Sequence, residues 1–211
     1  ESALKMKEAG GGEVVAITCG PVRAAKMLTD AAAVGADSLL HVQVDDLSGL
    51  DSTQVQSVLA AALGQAGCDV VFCGKQAADT NAGSTGPGVA LLMGASCVSH
   101  VSEVSSNEGG YLALRASSGG DERVQVSAPC VFAFDKGSEE LRRPNVRGIM
   151  MAKKKAIETF SPEDLGLSLG ASRVTVVSHS PPPEKPPGQK FEGADSVATV
   201  VGKLRDEANV I

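Results

Sequence analysis

The chain has 211 residues, 43% hydrophobic and 21% charged, enough apolar material for one sizeable globular domain, or a domain with an arm. A net charge of −6 and a pI near 5.1 argue against a general nucleic-acid or membrane-surface binder, because contact with a phosphate backbone needs a broad excess of Lys and Arg. No run approaches the apolar length of a membrane span.

In chain order, "ESALKMKEAG" reads as the back half of an amphipathic helix, with Gly10 to Gly12 ending it. A helix met halfway is expected to have residues ahead of Glu1. "EVVAITCG" (13–20) is an apolar strand, and "PVRAAKMLTDAAAVGA" (21–36) an alanine-rich helix with Pro in its first turn. "SLLHVQV" (38–44) is the next strand. Residues 52–66 carry Val55, Val58, Leu59, Ala62 and Leu63 at helical spacing. "CDVVFCG" (68–74) then returns as a nearly wholly apolar strand. Apolar strands separated by helices predict a parallel sheet covered on both faces.

After Gly94 short strands follow closely, at 97–104, 111–117, 123–129 and 130–135, with glycine-rich turns that predict antiparallel hairpins. The sheet is therefore expected to be mixed. "SPEDLGL" (161–167) has the cap and proline pattern of a short helix. "SPPPEKPPGQ" is an extended linker, and the C-terminal stretch from Ala194 is a last amphipathic helix. The division expected is an α/β domain over 1–179 and an arm over 180–211. Packing of that arm on its own domain and reach to a partner are both open.

Two segments carry chemistry. "GKQAADTNAGSTGPG" leaves the carboxyl end of a parallel-type strand, where ligands bind in open α/β sheets. Gly74, Gly83, Gly86 and Gly88 allow close backbone approach; Thr80, Asn81, Ser84 and Thr85 offer hydroxyl and amide groups. A helix starting near Gly86 would direct N–H groups into the crevice. This composition suits a phosphate, with Asp79 better suited to a ribose hydroxyl or a loop amide, although it matches neither P-loop nor dinucleotide fingerprint. An ordinary Asx-rich turn with a helix cap fits the same residues. The second segment, "RRPNVRGIMMAKKK" (142–155), has six basic residues, no acidic one, and apolar Val146, Ile149, Met150 and Met151 among them. It is either a solvated basic loop running into a helix or a docking segment for an acidic partner.

Together, "EVVAITCGP", "CDVVFCGKQAADTNAGSTGPG" and "RGIMMAKKKAIE…PEDLG" resemble the β subunit of electron transfer flavoprotein over almost the whole chain. The resemblance implies a three-layer α/β/α Rossmann-like fold of the adenine nucleotide alpha-hydrolase type, mostly parallel with antiparallel hairpins, plus a C-terminal arm reaching the alpha subunit. Another strand and helix, about 40 to 50 residues and one strand–helix unit in length, is implied ahead of Glu1. It further implies a subunit without catalysis of its own. That subunit binds a structural AMP through Cys19 and the loop Gly74, Lys75, Gln76, Ala77, Ala78, Asp79, Thr80, Asn81, Ala82, Gly83, Ser84 and Thr85.

The implied partners are an electron transfer flavoprotein alpha subunit holding the redox-active FAD, acyl-CoA dehydrogenases as donors, and the electron transfer flavoprotein–quinone oxidoreductase as acceptor. Docking to dehydrogenases would fall to Arg143, Val146, Arg147, Ile149, Met150, Lys153, Lys154 and Lys155, the lysines also resembling a methylation site. Val146 stands where the family commonly has Leu, one methylene less to bury, about 0.8 kcal/mol. The hairpin near Ser117 and Ser118 lacks the family's usual acidic residue. "TNAGS" (80–84) departs from the loop of electron-bifurcating relatives, which favours AMP over a second FAD. The mitochondrial matrix is the preferred location for a eukaryotic source, the cytoplasm for a bacterial one.

Two other classes stay in view. An ATP-binding stress-protein-like domain would need a triphosphate loop and an acid or metal site, and His41, His100 and His179 are dispersed. A thiol redox protein would need its cysteines paired. Cys68 and Cys73, five apart in one strand, point to opposite faces, and the five cysteines read as small buried hydrophobes in a reducing compartment.

Overall fold

The computed structural model describes residues 1–135, 140–185 and 187–210. They form two compact units, Glu1–Val174 and Thr175–Ile211. The first unit opens with α1 (Ser2–Gly10), β1 (Val15–Gly20), α2 (Ala25–Val34), β2 (Ser38–Gln43), α3 (Ser52–Gln65), β3 (Val70–Gly74) and α4 (Thr85–Met93). It continues with β4 (Ser96–Asn107), β5 (Gly110–Ser117), β6 (Gly120–Val126), β7 (Cys130–Phe134), α5 (Val146–Ala152) and β8 (Glu158–Phe160).

Strand alternation explains the layering around β1 and β2. Leu28 of α2 clusters with Ala16 and Leu39 on one face, whereas Val58 and Ala62 of α3 cluster with Ile17, Cys19, Leu40 and Val42 on the other. Neighbouring residues of a strand point to opposite faces, so a two-sided apolar strand requires a helix on each side. Helix α3 starts at a full capping box: the Asp51 carboxylate accepts from the Gln54 amide, and the Gln54 side chain accepts from the Asp51 amide.

The strands form two sheets, β1-β2-β8 and β3-β7-β4-β5-β6. All pairs are parallel except β4–β5 and β5–β6. The mixed α/β architecture expected from the sequence is thus present, divided in two. Among the described residues β1 and β3 each have one paired neighbour, and both line a cleft of about 670 Å³ with α3, α4 and part of α1. Their burial reflects this: β2 and β7 are almost wholly buried, β1 and β3 mostly half-buried.

Beyond α4 the core is formed by Val98, Val101, Ala113, Cys130 and Phe132. The Phe132 ring lies 5.7 Å from Phe72 and 6.1 Å edge-on from Tyr111. His100, at φ 59°, makes the irregularity by which β4 shifts register against β7. The hairpin after β4 needs a glycine at Gly110, where a Cβ would stand 2.2 Å from the Val126 carbonyl.

Three local expectations change. Pro21 precedes a short 3-10 turn over Val22–Ala24, and the helix proper begins at Ala25. The 161–167 segment makes its cap, Ser161 and Asp164 bonding reciprocally, but closes after one turn because Gly166 adopts φ 74°. Its leucine neighbours Leu165, Leu167 and Leu169 instead pack against the α3 core. Strand β8, unforeseen in the sequence, pairs with β2 through only three residues. The second unit holds α6 (Val197–Asp206), entered through a 3-10 turn over Ala194–Ser196. Among the described residues no helix is long and apolar enough to cross a membrane.

Candidate functional site

The loop from Gly74 to Ser84 joins β3 to α4. Its base is tied to β7, where the Lys75 amide donates to the Phe134 carbonyl at 2.6 Å. Its cationic and acidic side chains are engaged within the protein. Lys75 Nζ lies 2.6 Å from Asp135 Oδ2, and the Asp79 carboxylate accepts from the Thr80 amide at 2.8 Å. Across the loop, Gln76 Nε2 donates to Asn81 Oδ1 at 3.0 Å, and the Asn81 amide donates to the Ala77 carbonyl. Asn81 sits at φ 49°, a conformation Asn tolerates through its short polar side chain. Ala77, Ala78 and Ala82 are exposed.

Gly83, at φ 61°, turns the chain into α4. There the Ser84 side chain makes no cap bond, so the Thr85 and Gly86 amides keep capacity for an outside acceptor, whereas Pro87 has no N–H and the Gly88 amide donates to the Ser84 carbonyl. Among the described residues the hydroxyls of Thr80, Ser84 and Thr85 also lack a protein partner. A phosphate or ribose oxygen suits this donor set, since hydroxyls and helix-start N–H groups complement an anion, and the Asp79 carboxylate is held locally by the Thr80 amide.

Two glycines fix how α4 lies. A Cβ at Gly86 would meet Cys73 Sγ at 2.9 Å and Ala133 Cβ at 3.3 Å, so α4 rests directly on β3 and β7. Gly88 lies against the amide of Gln56 on α3, which donates through Nε2 to the Ser84 carbonyl at 3.0 Å. In the sequence Gln56 is only one polar residue among the non-apolar positions of 52–66, with nothing to mark this contact.

Cys19 lies in the other sheet, packed with the core on the α3 side. Burial pushes its thiol up, and pushes Cys73 and Cys130 up to about 11. Of the expected nucleotide residues only Thr85 reaches the cleft between β1 and β3, which Phe72, Cys73 and Val89 also line.

The basic segment runs into a short helix, as its loop-to-helix reading expected, and the helix is entered by a cap. Asn145 Oδ1 accepts from the Gly148 amide at 2.7 Å and starts α5. Gly148 packs onto α2, where a Cβ would stand 2.5 Å from the Ala33 carbonyl. Ala152 is buried, while Val146 (76% exposed), Met150 and Met151 face outward and Ile149 is less open. Arg143, Arg147, Lys153 and Lys154 are exposed. Lys155 instead donates to the Ala36 carbonyl at 2.7 Å.

A family profile described as the electron transfer flavoprotein domain matches residues 1–165. This chain belongs to the electron transfer flavoprotein beta-subunit family. It is 30% identical to the electron transfer flavoprotein subunit beta of Bacillus subtilis, covering 100% of this chain and 84% of that protein. Against the human subunit beta it is 33% identical, covering 98% of this chain and 80% of the relative. A rice relative, named as mitochondrial, is also 33% identical, over 100% of this chain and 83% of its own. Membership makes the chain an electron-transfer component, and the subunit name carries a partner subunit with it. The family's relatives include bacterial and mitochondrial forms.

Proposed function

We propose that this chain is the non-catalytic, nucleotide-holding subunit of a heterodimeric electron carrier, which accepts electrons from acyl-CoA and related dehydrogenases and delivers them to the quinone pool through electron transfer flavoprotein–quinone oxidoreductase. The carrying observation is the loop at the end of β3. Among the described residues its hydroxyls and the Thr85 and Gly86 amides that open α4 stand without protein partners, while Lys75 is paired with Asp135 and the Asp79 carboxylate accepts from the Thr80 amide. Such a site suits a structural AMP held by the Ser84 and Thr85 hydroxyls and the Thr85 and Gly86 amides at the phosphate, with Thr80 and the loop backbone at the nucleoside. FAD on the alpha subunit would supply the electron chemistry, which no side chain of this subunit can replace. This subunit would orient that partner and dock the donor, with Arg143, Arg147, Lys153 and Lys154 steering encounter and Val146 and Met150 supplying apolar contact.

The cleft bears on the same reading. Strands β1 and β3 flank it, and Thr85 at the start of α4 reaches it.

The test is co-expression with an alpha subunit, denaturation of the purified complex, and identification of the released nucleotides by chromatography and mass spectrometry. One FAD and one AMP per heterodimer is the expected result. Two FAD would make the carrier a bifurcating one, and a chain that yields neither complex nor nucleotide would overturn the proposal in favour of a stand-alone binding fold.

A further inference from the structure

The six cations of the 142–155 segment are not equivalent. Arg142 turns inward onto α1. Its backbone amide, Nε and Nη2 donate to Glu1 at 3.1, 2.9 and 2.9 Å, and Nη1 and Nη2 donate to Glu8 at 2.6 and 3.2 Å. The Glu1 side chain is only 7% exposed. A guanidinium forked across two carboxylates is the geometry in which an ion pair is rigid, unlike a single flexible surface contact. At the other end Lys155 Nζ caps the Ala36 carbonyl just past α2, and between the two Gly148 lies flush on Ala33. The segment is thus fastened at its start, middle and end, and Arg143, Arg147, Lys153 and Lys154 remain directed to solvent.

We propose that Arg142 and Lys155 are positioning residues that hold α5 in its binding conformation. They would make no contact with the partner, whose acidic surface with an apolar recess meets the other four cations and Val146. This inference rests on the docking role proposed above. Fastening a segment before encounter removes its ordering cost from binding, so loosening it weakens docking without removing a steering charge.

The experiment uses the full chain in its heterodimer and follows flavin reduction by an acyl-CoA dehydrogenase with its substrate over a range of carrier concentration and salt. Glu1→Gln and Arg142→Met are expected to raise the carrier KM about three- to tenfold, with kcat and the steepness of the salt dependence kept. Lys155→Met should do the same. Arg147→Met, by contrast, should raise KM and flatten the salt dependence. Amide hydrogen exchange on the same complexes supplies a second readout: exchange over 146–152 should quicken in Glu1→Gln and Arg142→Met while the β7 amides stay protected.

An unchanged KM in Glu1→Gln, beside a flattened salt dependence in Arg142→Met, would make Arg142 a direct contact and overturn the inference. Unchanged exchange over 146–152 would overturn it equally. Should Arg147→Met and Val146→Asp also leave KM untouched, the docking role itself fails and the inference falls with it.

Discussion

Gln56 and Gly88 interlock: the Gln56 amide occupies the space of a Cβ at position 88, only 2.2 Å from where that atom would stand, and reaches past it to the Ser84 carbonyl. Helix α3 therefore sets the position at which the β3 loop becomes α4. Gly88→Ala displaces the flexible end of Gln56 and breaks that hydrogen bond, costing about 1 kcal/mol. A gain of about 0.5–1 kcal/mol from replacing a helical glycine offsets it. Denaturant unfolding should show little net change, while nucleotide retained by the purified heterodimer falls.

Gly86→Ala behaves differently, since the new methyl meets Cys73 Sγ and Ala133 Cβ inside the packed layer. The expected loss is about 1–3 kcal/mol in urea unfolding. Adding Cys73→Ala, which removes the opposing sulfur, should restore part of it; a double variant no more stable than Gly86→Ala would place the strain elsewhere.

The Glu1–Arg142 pair carries a pH dependence of known sign. Arg142 holds the Glu1 carboxyl down, from about 4.5 to about 2, chiefly by side-chain hydrogen bonding, and lowers Glu8 as well. A carboxylate with a depressed folded-state pKa stabilises the fold above its ordinary value and loses that contribution as pH falls. Wild-type stability should therefore decline between about pH 4.5 and 2 more steeply than that of Glu1→Gln, as measured by urea midpoints across that range.

Thiol chemistry should follow burial. Cys73 and Cys130 have thiols pushed up to about 11, and Cys130 is fully buried, whereas Cys97 is exposed. Alkylation at pH 8 should label Cys97 first, Cys73 more slowly and Cys130 only on unfolding, with all five reacting in denaturant, as read by mass spectrometry. Early labelling of Cys130 would contradict the β7 core.

Val146 is exposed and outside the core, so Val146→Leu should leave stability within about 0.5 kcal/mol. If this residue seats in an apolar recess, one added methylene is worth about 0.8 kcal/mol, or close to fourfold in carrier KM for the dehydrogenase.

Much of this molecule was written locally in its sequence. The apolar runs of β1, β2 and β3, the Asp51–Gln54 capping box and the small-residue loop after Gly74 follow from the spacing of neighbours, because strand and helix periodicity and cap chemistry act over a few residues. The motifs that carry the family resemblance lie in the same stretches. Contacts between distant residues were not legible. Nothing near Arg142 indicates that its partners are Glu1 and Glu8, and nothing near Gln56 indicates that it supports Ser84. Strand β8 was missed because three residues are too few to show a period, and the 161–167 helix failed because Gly166 took a left-handed turn that lets the leucines reach the core. Tertiary packing alone also decided which lysine of the basic segment turns back to the protein, since a flexible four-carbon chain takes its direction from the acceptor it can reach, here the Ala36 carbonyl for Lys155.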